Sequence, residues 1–162
     1  MVVLEKIKEY SYNIATIGGL GKWKTGAFIA SLLAFPLLIF DRFLYVCSAS
    51  VFYWFIFLLV AASCLIIYFA SNFVDHGYVD NIVWDKVIGL MLTFAYIPLK
   101  FRLMLFGFII FHLINFLRPF ILRKCLVQKI NELPLGIEII SGDIISGFIC
   151  NFFLQLIFWI MA

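Results

Sequence analysis

The sequence predicts an all-α integral membrane bundle of three to five membrane segments, preceded by a short N-terminal amphipathic segment. Three observations carry this expectation. The 162 residues are 65% hydrophobic and only 13% charged, with a mean hydropathy of +1.13, whereas a soluble domain carries roughly 25% charged residues. The apolar residues are gathered into runs that approach or exceed the ~20 residues with which a helix crosses a bilayer. No stretch alternates polar and apolar positions as a strand does, and no segment repeats. One domain, residues 1–162, fits this length.

The elements follow in order. Met1 to Tyr12 carries Glu5, Lys6, Lys8 and Glu9 among apolar residues, an amphipathic pattern without the charged-then-apolar layout of a cleaved signal peptide. Thr16-Ile17-Gly18-Gly19-Leu20-Gly21-Lys22 is a glycine-rich turn entering the membrane. It reads either as a hinge or as a loop aiming backbone N–H groups at phosphate. It is no Walker A loop, because Gly21-Lys22 is followed by Trp23, and the GxGxxG fingerprint is absent.

Ala27 to Phe40 is the first apolar run, spanning with help from Lys24-Thr25-Gly26 or lying re-entrant. After Asp41-Arg42, the run Phe43 to Phe73 is a full span. Val87 to Leu99 and Leu103 to Leu117 are split by Lys100 and Arg102, with Pro98 at the break. Both are short, so a helical hairpin partly buried against the other segments is expected. Ile144 to Ala162 closes the chain as a further span.

Lysine and arginine bias sets orientation in membranes. Lys6, Lys8, Lys22 and Lys24 flank the first segment, and Arg118, Arg123, Lys124 and Lys129 precede the last, so both groups are expected in the cytoplasm. The intervening loop Ser71 to Asp85 holds Asp75, His76, Asp80 and Asp85 and no cation. The net charge of +3 is spread over juxtamembrane segments without a basic patch, which excludes nucleic acid as an expected partner. Cys47, Cys64 and Cys150 lie in apolar runs and Cys125 in a basic loop; none has metal-ligand spacing, and packing is their expected role.

The candidate site residues are the polar groups that interrupt this pattern. Asp85 and Lys86 stand where an acidic loop runs into an apolar helix. His112, Asn115 and Arg118 are spaced i, i+3, i+6 along one drifting helix face. Ionisable residues at membrane depth turn inward and mark sites, although a histidine among phenylalanines also serves as an interhelical hydrogen-bonding group. Arg118-Pro119 ends that helix, where a guanidinium is suited to grip a lipid phosphate bidentately. Asp143, Gly147 and Asn151 form an i, i+4, i+8 stripe continued by Gln155. For Gly147 and Asn151 the small-and-polar spacing points to helix packing. A carboxylate such as Asp143 entering a span needs a metal or a cation such as Arg118 to offset it. Glu138 would sit about 140° around a continuous helix from Asp143.

Four motifs in order together resemble the phosphatidylglycerophosphatase A family of membrane lipid phosphatases. Ala15-Thr16-x-x-Gly19-x-Gly21 is similar to its AT-x-x-G-x-G, and Ile82-Val83-Trp84-Asp85 with Gly89 to its IVWDE-x-x-G, while Pro98 matches a helix-ending proline. Phe108 through His112, Asn115 and Arg118-Pro119 resembles F-x-x-FR-x-x-D-x-x-KP, and Gly136-Ile137 through Asp143 and Gly147 resembles GIM-x-DD-x-x-AG. The chain departs from the family at Lys86 for glutamate, His112 for arginine, Asn115 for aspartate, Arg118 for lysine and Gly142 for the first paired aspartate. The PGT-x-GSL segment is reduced to Gly26-Ala27-Phe28-Ile29-Ala30-Ser31-Leu32.

The resemblance implies hydrolysis of phosphatidylglycerol phosphate to phosphatidylglycerol and phosphate, in phospholipid biosynthesis at the bacterial inner membrane. It implies an anionic phospholipid substrate and a magnesium cofactor held by Asp85 and Asp143, with Asp85, Asp143 and Asn115 catalytic. Arg118, Lys86, His112, Gly19 and Gly21 would bind substrate. Magnesium favours hard oxygen ligands, and Lys86 repels a cation and attracts phosphate. The alternative expectation is therefore a catalytically inactive relative that binds anionic lipid or packs with another membrane protein, and the sequence leaves open whether Asp80 or Glu138 replaces the lost ligands in an active one.

Overall fold

The computed structural model describes residues 2–71, 81–98, 100–121 and 135–161 of the chain. Asp75, His76, Asp80, Arg123, Lys124, Cys125 and Lys129 lie outside the described residues, and so does the side chain of Cys47. Seven α-helices and no strand occur among the described residues: α1 (Val2–Ala15), α2 (Gly26–Leu32), α3 (Ala34–Cys47), α4 (Ala49–Ser71), α5 (Trp84–Thr93), α6 (Phe101–Ile121) and α7 (Leu135–Met161). Among the described residues, four helical stretches are long and apolar enough to cross a membrane: Gly26–Val46, Trp54–Ser71, Phe101–Arg118 and Ile137–Ile160. The protein is an all-α, multi-pass membrane bundle.

Its surface is that of a body solvated by lipid. Trp159 and Ile160 are 85% and 84% exposed, and Phe43, Trp54, Phe57, Phe101 and Phe116 also point outward, while Asp85, Asp143, Thr93 and Ser146 are buried. A soluble protein distributes these residue types the other way. α1 carries its charged side chains on an exposed face and packs against α4 through its other side, burying Ser11 and Ala15.

The first span is two helices, α2 and α3, interrupted at Leu33. Pro36 accounts for the interruption, since a proline has no N–H for the carbonyl four residues back and its ring crowds that carbonyl. The polar pair Asp41-Arg42, expected between two runs, falls inside α3, and the chain reverses at the extended residue Ser48 instead. Arg42 fits there because its guanidinium hydrogen-bonds the carbonyls of Phe94, at 3.3 Å, and Ile97. These carbonyls lie just past the end of α5, where the helix dipole favours a cation. α4 has 23 residues, or about 34 Å, against a hydrocarbon core of about 30 Å.

The expected hairpin of two short segments takes a different form. α6 runs for 21 residues and spans, because Arg102 and Arg118 sit near its ends, where long cationic side chains reach the interface. α5 has only 10 residues, about 15 Å or half a bilayer. It packs chiefly against α7 rather than α6, with α2, α3 and α4 covering the remainder. Nearly every residue of α5 is buried, so its backbone ends lie inside the bundle and need partners. Asn151 of α7 supplies them, its Nδ2 donating to Thr93 O at 3.0 Å and Ala95 O at 2.7 Å, while Gln155 Nε2 holds Asn151 Oδ1 at 2.7 Å.

Glycines set the α5–α7 spacing. A Cβ on Gly89 would lie 2.8 Å from the Asp143 carbonyl oxygen and 2.8 Å from the Phe111 ring, and a Cβ on Gly147 would run into the Gly89 carbonyl. Small residues at such a crossing are what allow membrane helices to touch backbone to backbone. Around it lies one apolar core that includes Leu38, Val87, Leu90, Phe94, Phe111 and Leu154. α7 is longer than expected, 27 residues beginning at Leu135, so Glu138 and Asp143 share one continuous helix.

Candidate functional site

The α5–α7 crossing brings the first turn of α5 against Asp143. Asp85 accepts the backbone N–H of Lys86 on Oδ1 at 2.9 Å, a position at which the helix dipole favours an acid. The entry to α5 is tied down twice more. Val83 N–H donates to Ala15 O at 2.9 Å, and Trp84 Nε1 donates to Ser63 Oγ on α4 at 2.9 Å.

Lys86 then reaches across the crossing. Its ammonium lies 2.8 Å from Asp85 Oδ2 and 2.5 Å from Asp143 Oδ2, and Arg118 Nη1 lies 3.2 Å from Asp143 Oδ1. The two carboxylate side chains are 4% and 1% exposed, the ammonium and guanidinium side chains 23% and 34%. The cations therefore form the rim of the site and the acids its floor. Burial pushes the Asp85 carboxyl up, to about 8, with Lys86 pulling it down and the charge of Asp143 raising it. For Lys86 burial works downward, but the charges of Asp85 and Asp143 outweigh it and hold the ammonium above its ordinary range.

Arg118 rests against α7 at Gly142, where any Cβ would collide with the guanidinium. Glycine at this position makes the Arg118–Asp143 pair possible. One turn earlier on α6, Asn115 has both side-chain polar atoms buried and without a hydrogen-bond partner among the described residues. An amide in that state has two donors and an acceptor to offer, and buried polar groups are nearly always satisfied.

The expected site thus divides. Asp85, Lys86, Arg118 and Asp143 come together, and Asn115 lies one turn before Arg118 on α6. His112 turns to a different helix: its Nε2 lies 3.0 Å from Ser31 Oγ, and its ring packs against Phe28, Phe108 and Phe111. Ser31 Oγ already donates to Phe28 O at 2.7 Å, so a hydroxyl with one proton accepts from the imidazole. His112 thus makes a contact between α2 and α6. Gly19 and Gly21 lie in a turn whose N–H groups are engaged by the chain itself. Those of residues 16 to 18 donate to carbonyls of α1 and those of residues 19 to 23 within the turn, that of Gly19 to Thr16 Oγ1 at 3.2 Å and that of Gly21 to Thr16 O at 3.2 Å. Their role is shape: Gly19 has φ +92°, and a Cβ on Gly21 would enter the Asn81 backbone.

Ser31, Ser63, Arg42 and the clearance at Gly142 were not singled out by the sequence. Hydroxyls and a glycine within helices give no periodic signal of their own, and Arg42 looked like a loop residue between two runs.

Magnesium does not fit this arrangement. Each of the four carboxylate oxygens of Asp85 and Asp143 already accepts from Lys86 or Arg118. Among the described residues no three His, Cys, Asp or Glu side chains gather as a metal-binding group, whereas Mg²⁺ wants near-octahedral oxygen coordination.

Among known families, the model for phosphatidylglycerophosphatase A matches residues 13–158. No curated protein and no solved structure matches the chain.

Proposed function

Because this chain belongs to the phosphatidylglycerophosphatase A family, we propose that its phosphatidylglycerophosphatase-like function is carried by the Asp85–Lys86–Asp143–Arg118 cluster. The reaction is hydrolysis of phosphatidylglycerol phosphate to phosphatidylglycerol and phosphate, at the cytoplasmic face of a bacterial inner membrane. One observation carries the reading: two partly exposed cations bond two buried acids. An ammonium has three donors and a guanidinium five, and the bonds to Asp85 and Asp143 leave some of each for an entering phosphomonoester.

The chemistry that fits is water attack with charge neutralised by fixed cations. Lys86 and Arg118 hold the non-bridging phosphoryl oxygens, and the Asn115 amide bonds one more. The water oxygen joins phosphorus as the bond from phosphorus to the glycerol oxygen breaks. Asp85 takes one proton from the attacking water and later releases it to solvent, the departing glycerol oxygen on the opposite side of phosphorus takes its proton from solvent, and the other water proton stays on the phosphate. Asp143 holds both cations in register. No step runs through magnesium, since each carboxylate oxygen of Asp85 and Asp143 already accepts from Lys86 or Arg118.

A second reading, retention of the anionic lipid without turnover, is favoured by the saturation of all four carboxylate oxygens. Purified protein in mixed micelles separates the two. Phosphate release from phosphatidylglycerol phosphate above a heat-inactivated control, abolished in Asp85→Asn, supports hydrolysis. Binding of vesicles doped with that lipid, without phosphate release, replaces it with the second reading.

A further inference from the structure

We infer that Lys86 is a resident cation holding the place of a divalent ion between Asp85 and Asp143, so that this protein keeps its paired carboxylates together without binding metal. The α5–α7 crossing forces those carboxylates into one neighbourhood whatever else is present. Gly89 and Gly147 let the two backbones touch, and Asp85 and Asp143 project from that contact, 3% and 0% exposed. Two buried acids at one point must share a counter-charge or take up protons. In this chain the counter-charge is covalently attached to α5.

The geometry is that of an ion between ligands. The ammonium bridges one oxygen of each acid at 2.8 and 2.5 Å, the remaining Asp85 oxygen accepts the Lys86 backbone N–H, and the remaining Asp143 oxygen accepts Arg118. Gly142 contributes by leaving open the space in which the guanidinium lies. A divalent ion entering here has to displace the ammonium and still sits beside two cations. Each cation lowers its affinity, since the charge of the ligand set tunes metal binding. The inference stands whether or not the lipid is hydrolysed.

The test is metal binding to the full chain in detergent, read by the EPR signal of free Mn²⁺ and by Tm with MgCl₂ or EDTA. Wild type is expected to leave the Mn²⁺ signal undiminished and to melt at the same temperature in both additions. Lys86→Glu, which removes the cation and adds a carboxylate, is expected to bind Mn²⁺ saturably, roughly tenfold or more tighter than wild type, and to melt higher in magnesium. If that variant does not purify folded, Lys86→Gln decides in its place. Stoichiometric Mn²⁺ binding by wild type that is lost in Asp143→Asn overturns the inference. So does a folded Lys86 variant that binds no more metal than wild type, because Lys86 is then not what keeps the ion out.

Discussion

Lys86 Nζ and Asp143 Oδ2, 57 residues apart in the chain, lie 2.5 Å from each other across the α5–α7 crossing. The contact joins a half-bilayer helix to a full span and places a cation over two buried acids. It depends on a backbone feature, the glycine contact one turn deeper, and on a charge balance in which two acids face two cations. Each dependence gives a measurable expectation.

Removing the Lys86 charge while keeping its bulk, in Lys86→Met, leaves two buried carboxylates with Arg118 alone. Breaking a buried ion pair from one side costs about 3–5 kcal/mol. Because the ammonium side chain is 23% exposed, a loss nearer about 2–3 kcal/mol is expected, since solvent screens an ion pair of this kind. Adding Asp143→Asn to Lys86→Met should recover part of the loss, because residues in one ion-pair network do not add independently. Denaturant titration in micelles measures both. Full additivity of the two changes would mean that Lys86 and Asp143 are not partners.

Gly89→Ala and Gly147→Ala test the crossing itself. In a Gly89 variant the new methyl meets a backbone oxygen and the Phe111 ring at 2.8 Å, and in a Gly147 variant it meets the Gly89 carbonyl. Neither backbone partner has a rotamer to yield, so a penalty of about 1–3 kcal/mol is expected for each. The site should fail alongside, because Lys86 and Asp143 move apart. Cysteines placed at 86 and 143 should cross-link with a short reagent in the parent background and lose that cross-link when Gly147→Ala is added.

Gly142→Ala separates site from stability. Here the new methyl meets the end of a flexible side chain, the Arg118 guanidinium, which swings away instead of forcing the helices apart. Alanine favours a helix interior over glycine by up to about 1 kcal/mol. The helix gain is set against the lost Arg118–Asp143 pair, so thermal stability should change little while affinity for phosphatidylglycerol phosphate falls. Equal affinity in parent and variant would show that Arg118 does not hold the head group.

Asn151→Leu tests the far end of α5 in the same way. It removes two hydrogen bonds to the Thr93 and Ala95 carbonyls and leaves them unsatisfied in an apolar bundle, at a cost of about 1–3 kcal/mol. Arg42 still caps Phe94 and Ile97, so the bundle should persist with lowered Tm and unchanged head-group affinity.

These residues also show how far the sequence could be read. Asp85, Lys86, Arg118 and Asp143 stood out because a charge in an apolar run needs a reason, and the structure gathers all four. Gly147 and Asn151 were legible as packing residues from their spacing along α7. The helix breaks were less so. Pro36 sits inside an unbroken apolar run, and hydropathy cannot register that its ring stops the helix at Leu33. The short run after Asp85 could not announce that it packs on α7 rather than on its chain neighbour α6, since nearly its whole circumference is buried and no polar stripe marks a direction. His112 illustrates the converse: its residue type suggested a site, and only the position of Ser31, 81 residues away, turns it into a packing contact. The glycine-rich turn leaves two readings open, and its N–H groups are held by carbonyls of α1, by its own carbonyls and by Thr16 Oγ1, a closure that spacing alone cannot show.

The last expectation concerns the two positions at which restored acids would change the charge of the site most. Lys86→Glu with Asn115→Asp adds two carboxylates and removes one cation, three charge units in favour of a bound divalent ion. Asn115 is well placed for the change, because its side-chain atoms are buried and unpartnered on the turn of α6 before Arg118, so an ionised group there gains a metal instead of losing a hydrogen bond. With Asp85 and Asp143 the variant presents four carboxylates, a set of hard oxygen donors of the kind magnesium takes. If the present cluster is a weakened hydrolase, the double variant should release phosphate from phosphatidylglycerol phosphate in a magnesium-dependent manner and faster than wild type. If the cluster already hydrolyses through its own cations, the double variant should lose magnesium-independent turnover, because Lys86 no longer holds the phosphoryl oxygens. Asp143→Asn should abolish turnover in either background. A protein in which neither the double change nor Asp143→Asn alters phosphate release or magnesium affinity would place the working site somewhere other than the α5–α7 crossing.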